Sequence, residues 1–230
     1  PFTSSFLLPN AAIIDPRMTL TLPPHITAAT AMDAMTHATE AFTCMAKNPL
    51  SDAYATAAIK KISQSLLQVM DNPKDSDGRL ELAQASTMAG IAFSNSMVGL
   101  VHALGHATGA VCHLPHGLCM SLYLPYALEY NLETIREPLG ELLLYLEGPE
   151  VFAATPASRR AEASISAIRK LRDALYKRCQ LPRTLKETGK VTEAQLDHIA
   201  EMALDDGSIM FNPKEVTLED ARSVLRRAWA

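Results

Sequence analysis

Apolar and polar residues alternate with helical spacing along almost the whole chain after Ile26. The pattern predicts a series of helices, at about residues 27–45, 51–71, 79–95, 99–110, 116–130, 133–147, 156–179, 192–205 and 217–229. Capping residues mark several starts and glycines several stops, namely Ser51, Thr192 and Thr217, and Gly148, Gly189 and Gly207. The sequence therefore predicts a mostly α protein.

Residues 1–24 have a different pattern from the rest of the chain. Short apolar runs at about 6–9 and 11–16 are bounded by Pro and Asn, which favours strands. Two strands alone do not form a stable sheet. We therefore expect 1–24 to be extended, a short strand stub from an N-terminal domain whose other strands lie outside this sequence. Residues 25–230 are expected to form one helical domain with a shared core.

A long stretch without formal charge, residues 82–128, contains four histidines: His102, His106, His113 and His116. Charged side chains are rarely buried unpaired, so a stretch without them predicts a buried core. Histidines in a core need partners, which are usually a metal, a buried carboxylate or a backbone carbonyl. The sequence thus places its most versatile ligands and proton carriers where water is scarce.

Two pairs in the sequence have the spacing of neighbours on one helix face. Asp33 and His37 are at i and i+4, and so are His102 and His106. Either pair can bind a cation, although the first pair, taken alone, is better explained by an ordinary hydrogen bond between Asp33 and His37. Spacing alone does not show which of the histidines bind. An oxygen and imidazole donor set suits Zn²⁺ or Fe²⁺ about equally.

His102 and His116 lie too far apart along the chain for one straight helix to bring both to a single ion. A continuous helix would separate them by ~21 Å at about 1.5 Å per residue. Gly109 can end a helix, and Pro115 cannot simply continue one. The sequence therefore predicts a chain reversal between Gly109 and Pro115 that returns His116 toward His102.

Composition narrows the function class only modestly. The net charge is −4 and the pI is about 6.0, so no clustered basic face for nucleic acid is expected. No apolar run reaches the ~18 residues of a membrane span, and no secretory signal pattern is present. The four cysteines lack paired metal-site spacing, which favours a reducing cytoplasm.

Taken together, the motifs resemble those of the iron-containing (group III) alcohol dehydrogenases, over essentially the whole chain. The matching segments are residues 15–16, 22–24, 27–40, 90–95, 99–117, 124–131, 181–185 and 212–213. The resemblance is to the helical, dehydroquinate synthase-like C-terminal metal-binding domain of that family, here at 25–230. It also implies that 1–24 is the remnant of an α/β dinucleotide-binding domain.

The resemblance implies a role for each site residue. Four residues map onto the metal ligands, namely Asp33, His37, His102 and His116. His106 maps onto a non-ligand histidine beside the nicotinamide, which makes it the expected proton carrier and cofactor contact. Phe93 maps near the substrate channel, and Val98 is a further expected lining residue. The expected metal is Fe²⁺, with Zn²⁺ as the alternative, and the expected redox cofactor is NAD or NADP.

The sequence departs from the family pattern in two small ways and one large one. Ala31 stands where the family usually has Gly, and Ala107 where it commonly has Pro. No Gly-x-Gly-x-x-Gly run is present, so we expect the dinucleotide to be bound mainly by a missing N-terminal domain and this chain alone to be inactive.

The family resemblance implies oxidation of a small alcohol or reduction of the aldehyde. The surface that would meet the missing sheet is expected to be apolar and to promote self-association, so a homo-oligomer is expected. A glycerol dehydrogenase-like or maleylacetate reductase-like relative shares the fold and remains an alternative. A non-catalytic metal-binding module is the alternative outside enzymes.

Overall fold

The computed structural model describes residues 5–7 and 9–230. Within them the chain forms helices and no strand, which confirms the mostly α prediction. The α-helices are α1 (Pro24–Thr43), α2 (Pro49–Asp71), α3 (Ser76–Ser94), α4 (Leu100–Cys112), α5 (His116–Glu141), α6 (Leu143–Glu147), α7 (Pro149–Ala154), α8 (Arg160–Cys179), α9 (Leu196–Leu204) and α10 (Leu218–Trp229). Short 3-10 turns lie at Ser5–Leu7, Pro16–Thr19, Ala157–Arg159, Lys186–Thr188, Glu193–Gln195 and Gly207–Phe211.

The strands predicted within residues 1–24 are absent from the described part of that segment. Residues 9–15 have no regular structure, and Pro16–Thr19 is a 3-10 turn in which the Asp15 side chain accepts the backbone N–H of Arg17. Residues 1–4 and Leu8 lie outside the described residues. A strand needs a neighbouring strand for its backbone hydrogen bonds, and the described chain offers none. Ile13 accordingly has 93% of its surface exposed.

Helix α1 lies at the centre of the molecule. It packs against α2, α3 and α5, and α4 packs against α5 and α9. Large side chains from α1, α2, α4 and α5 fill one core, among them Met32, Met35, Ile59, Ile62, Leu104 and Tyr123. Because α1 is covered on three sides, polar side chains that it carries toward α4 and α5 are held in a rigid setting.

The predicted reversal between the two histidine motifs is confirmed. α4 ends at Cys112, His113 adopts the left-handed conformation (φ 53°, ψ 39°), and α5 begins at His116 directly after Pro115. Gly109, predicted as a helix terminator, instead remains inside α4. The chain thus turns at His113, which adopts a conformation that is more often found at glycine.

Other boundaries differ from the sequence pattern where tertiary packing overrides local signals. The helices predicted at about 116–130 and 133–147 are largely one helix, α5, with a local distortion at Ile135 (φ −110°, ψ 16°). Asn48, not Ser51, caps α2, and Ser51 returns the bond as the third residue of a capping box. None of the described helices is long and apolar enough to cross a membrane.

Candidate metal centre

Helix α1 carries the first two residues of the site one turn apart on one face. Asp33 Oδ1 lies 3.5 Å from His37 Nδ1. Both residues lie near the middle of α1, and neither is exposed. The i, i+4 spacing thus places a carboxylate beside an imidazole, and the helix backbone keeps the two side chains close together.

The other two residues come from the helices on either side of the reversal. His102 lies in the first turn of α4, and His116 is the first residue of α5. The centroid of the His102 ring is 4.4 Å from that of His37 and 5.5 Å from that of His116. Asp33, His37, His102 and His116 each offer one ligand atom, and these atoms all lie within 4.8 Å of one another.

A glycine allows α5 to approach α1 closely enough for this arrangement. A Cβ atom at Gly117 would lie 2.5 Å from the carbonyl oxygen of Ala29 on α1. Any side chain there would push α5 away from α1 and move His116 away from Asp33, whose Oδ1 is 3.2 Å from His116 Nε2. The close approach explains why glycine directly follows this histidine.

Electrostatics favour the protonation states that a cation requires at Asp33 and His37, whereas the contact with Asp33 favours the protonated form of His116. Burial, followed by the neighbouring His102, lowers the pKa of His37 to about 4. Burial acts to raise the pKa of Asp33, but the neighbouring His116 and the other imidazoles bring it below its ordinary value. The same contact with Asp33 raises the pKa of His116. At neutral pH Asp33 is therefore ionised and His37 is neutral.

Two atoms of the group are buried and lack a hydrogen-bond partner in the described chain. They are His102 Nε2 and Asp33 Oδ1, which has imidazole nitrogens nearby but no well-aligned donor. A buried polar atom left unpaired costs about 1–3 kcal/mol. Atoms of this kind that converge on one point are what a cation coordinated by oxygen and nitrogen would satisfy, so the residues present fit a divalent metal.

His106 lies beside the group but is not one of its four members. Its Nδ1 is 2.8 Å from Asp206 Oδ2, and its ring stacks on His116 with the centroids 5.3 Å apart. Asp206 also accepts the backbone N–H of Ser208. Burial acts to raise the pKa of Asp206, but the bonds from Ser208 and His106 lower it overall. His113 is exposed in the turn between α4 and α5.

The two expected lining residues have different positions. Phe93, near the end of α3, stacks on His37 with the ring centroids 4.3 Å apart and the planes inclined by 23°. Val98 is almost fully buried between α3 and α4, and no hydrogen bond or ring contact joins it to the four residues. All four cysteines are free, and none belongs to the group.

Two residues that contact the histidines were not assigned a role from the sequence. They are Glu40, bonded to His102, and Asp206, bonded to His106. Glu40 carried a usable signal, because it lies one turn beyond His37 on the same helix. Asp206 is 100 residues from His106, and no local pattern connects them.

Comparison with known proteins assigns the family. The sequence profile described as "Fe-containing alcohol dehydrogenase family, C-terminal" matches residues 27–229. Alcohol dehydrogenase 4 of Saccharomyces cerevisiae is 36% identical over 223 residues, which are 96% of this chain and 55% of that protein. The 1,3-propanediol dehydrogenase of Citrobacter freundii is 35% identical over 96% of this chain and 56% of its own length.

A solved structure shares the same fold. The crystal structure of a 1,3-propanediol oxidoreductase superposes with a TM-score of 0.88 at 33% identity, covering 94% of this chain and 55% of that one. The chain thus spans about half the length of the relatives that it matches. The helical fold, the histidine motifs and these similarities together show that the chain belongs to the iron-containing alcohol dehydrogenase family.

Proposed function

We propose that this chain is the metal- and substrate-binding half of an NAD(P)-dependent alcohol dehydrogenase. The observation that carries the proposal is the group formed by Asp33, His37, His102 and His116, whose ligand atoms lie within 4.8 Å of one another. Relatives that are 31–36% identical over nearly the whole chain are named as dehydrogenases of alcohols, including butanol and 1,3-propanediol. The proposal also assigns residues 25–230 to the metal-binding domain.

The four residues would hold one Fe²⁺ ion, with Zn²⁺ as the alternative. One carboxylate and three imidazoles form a donor set without sulfur, which both ions accept. The family's description favours iron. When bound, the ion would supply Lewis acidity toward the oxygen of the alcohol, and nicotinamide would exchange the hydride.

Residues around the four ligands would prepare the reaction. Phe93 covers one face of His37 and so limits the access of water from that side. His106 would carry the proton that leaves the alcohol, because imidazole exchanges protons near neutral pH. A carboxylate only accepts hydrogen bonds, so Asp206 holds the proton of neutral His106 on Nδ1 and leaves the Nε2 lone pair free.

The dinucleotide would be bound mainly by a part of the full-length protein outside this sequence. The relatives are nearly twice as long as this chain, and no Gly-x-Gly-x-x-Gly run occurs here. We further propose that the complete enzyme is a cytoplasmic homo-oligomer. Four free cysteines fit a reducing compartment, and exposed apolar side chains such as Ile13 and Met18 leave surface to be covered by other parts of the assembly.

Metal analysis and an alcohol oxidation assay together test this proposal. The purified chain should bind one equivalent of Fe²⁺ or Zn²⁺, and the Asp33→Asn variant should bind much less. The full-length protein should reduce NAD⁺ or NADP⁺ when given small primary alcohols, whereas this chain alone should not. One equivalent of metal without alcohol-dependent reduction by the full-length protein would instead identify a non-catalytic metal-binding module. Metal bound through a cysteine would contradict the proposed site.

A further inference from the structure

Glu40 is a buried carboxylate with both of its oxygens engaged. Oε2 lies 2.5 Å from His102 Nδ1, and Oε1 accepts the backbone N–H of Val101 at 2.8 Å. Glu40 is only 5% exposed, and the side chain of His102 only 3%. One side chain of α1 therefore contacts both the imidazole and the backbone of the first turn of α4.

This contact decides which nitrogen of neutral His102 carries the proton. An ionised carboxylate offers only acceptors, so Nδ1 must be the donor. Nε2 then has a free lone pair, and Nε2 is the buried atom without a partner beside Asp33, His37 and His116. We propose that Glu40 is a positioning residue that fixes the tautomer and orientation of His102 for metal binding, an inference that rests on the proposed function.

A second contact holds the same turn of α4 without touching the imidazole. The backbone N–H of Leu100 donates to Asn212 Oδ1 at 3.2 Å, and Asn212 exchanges two hydrogen bonds with Asn131 of α5. A Cβ atom at Gly99 would lie 3.0 Å from Asn212 Oδ1 and 3.3 Å from Glu40 Oε1, so the turn leaves little room for a side chain there. Asn212 thus provides a control that anchors the helix but not the imidazole.

The substitution Glu40→Gln separates tautomer control from packing. Glutamine has nearly the same shape, and its carbonyl oxygen can still accept the N–H of Val101. Its amide nitrogen would donate to His102 Nδ1 and move the imidazole proton to Nε2. We expect Zn²⁺ affinity, measured on the whole chain by competition with a chromophoric chelator, to fall by roughly 10–100-fold.

The control variant Asn212→Ala should lower Tm while leaving Zn²⁺ affinity close to that of the unmodified chain. Long-range ¹⁵N–¹H spectra of the metal-free protein read the tautomer directly, at about pH 9, where an ordinary imidazole is neutral. We expect His102 protonated on Nδ1 in the unmodified chain and on Nε2 in Glu40→Gln.

Three outcomes are decisive. The same tautomer in both proteins would overturn the proposal, as would an equal loss of Zn²⁺ affinity in Asn212→Ala and Glu40→Gln. If the unmodified chain binds no Zn²⁺ or Fe²⁺, the proposed function fails. The spectra still decide whether Glu40 sets the tautomer of His102 in that case.

Discussion

The first and second turns of α4 present two imidazoles that have similar partners and different surroundings. His102 and His106 each place Nδ1 against a carboxylate, 2.5 Å from Glu40 and 2.8 Å from Asp206. The His102 side chain is 3% exposed, whereas that of His106 is 43% exposed. Burial makes the second nitrogen of His102 dependent on a partner inside the protein, whereas solvent can satisfy that of His106. The same dyad thus fits the proposed roles, a fixed ligand in one turn and a proton carrier in the next.

Substitution of the two histidines should give the largest difference. His102→Gln should reduce Zn²⁺ affinity by more than the roughly 10–100-fold that loss of an outer partner costs, because a ligand itself is removed. His106→Gln should leave the affinity almost unchanged. Chelator competition on both variants measures the difference. Equal losses would show that the two turns do not have separate roles.

The second prediction concerns turnover in the full-length protein. His106→Gln should lower kcat by about 100-fold, within the range usual for loss of a general acid or base. Asp206→Asn should cause a smaller loss, because the imidazole remains but its orientation is no longer fixed. Metal content, measured by elemental analysis, should stay at one equivalent in both variants. Unchanged kcat in His106→Gln would remove His106 from the reaction.

Zn²⁺ should also raise the Tm of the unmodified chain and of His106→Gln, but not that of His102→Gln. At a free concentration of about 100 times Kd, binding contributes roughly 2.7 kcal/mol. For a chain of this size each kcal/mol raises Tm by about 2–4 °C, so we expect a shift of about 5–10 °C. Differential scanning fluorimetry should show this shift in the unmodified chain and in His106→Gln. A similar shift in His102→Gln would place the bound ion elsewhere.

The smallest predicted effect comes from the glycine between the two histidines. A Cβ atom at Gly105 would lie 2.0 Å from the terminal methyl group of Met120 on α5. Overpacking costs about 1–3 kcal/mol, and the gain in helix propensity from Gly to Ala returns up to about 1 kcal/mol. Gly105→Ala should therefore lower the free energy of unfolding by about 1 kcal/mol, measured by urea titration. Gly90, whose Cβ position is open, is the matched control.

Most of the fold could be predicted because it depends on local and periodic signals. Helical spacing located α1 to α4 and α8 to α10, and Pro115 indicated the break between α4 and α5. The exact turning residue could not be predicted, because a left-handed His113 depends on how α4 and α5 pack. The strand prediction for about 11–16 failed because strand formation depends on a neighbouring strand that the local pattern does not contain.

Only part of the candidate site could be predicted from the sequence. The i, i+4 pairs are local, so Asp33, His37, His102 and His106 could be recognised as candidates from spacing, and the family resemblance predicted which of them are ligands. The carboxylates that orient the imidazoles depend on contacts between distant parts of the chain. Glu40 and His102 are 62 residues apart, and Asp206 and His106 are 100 apart. Only the folded structure pairs them.

The distribution of the four proposed ligands over three helices also sets the order in which they come together. Before α4 and α5 dock on α1, an arriving cation can meet only local pairs, namely Asp33 and His37 on α1 or His102 and His106 on α4. The complete set forms only after docking, so we expect tight binding of the metal to follow the packing of these helices. Interactions that form after the transition state slow unfolding and leave the folding rate nearly unchanged. If the four residues bind a cation as proposed, the cation therefore binds late in folding, slows unfolding and lengthens the lifetime of the folded state.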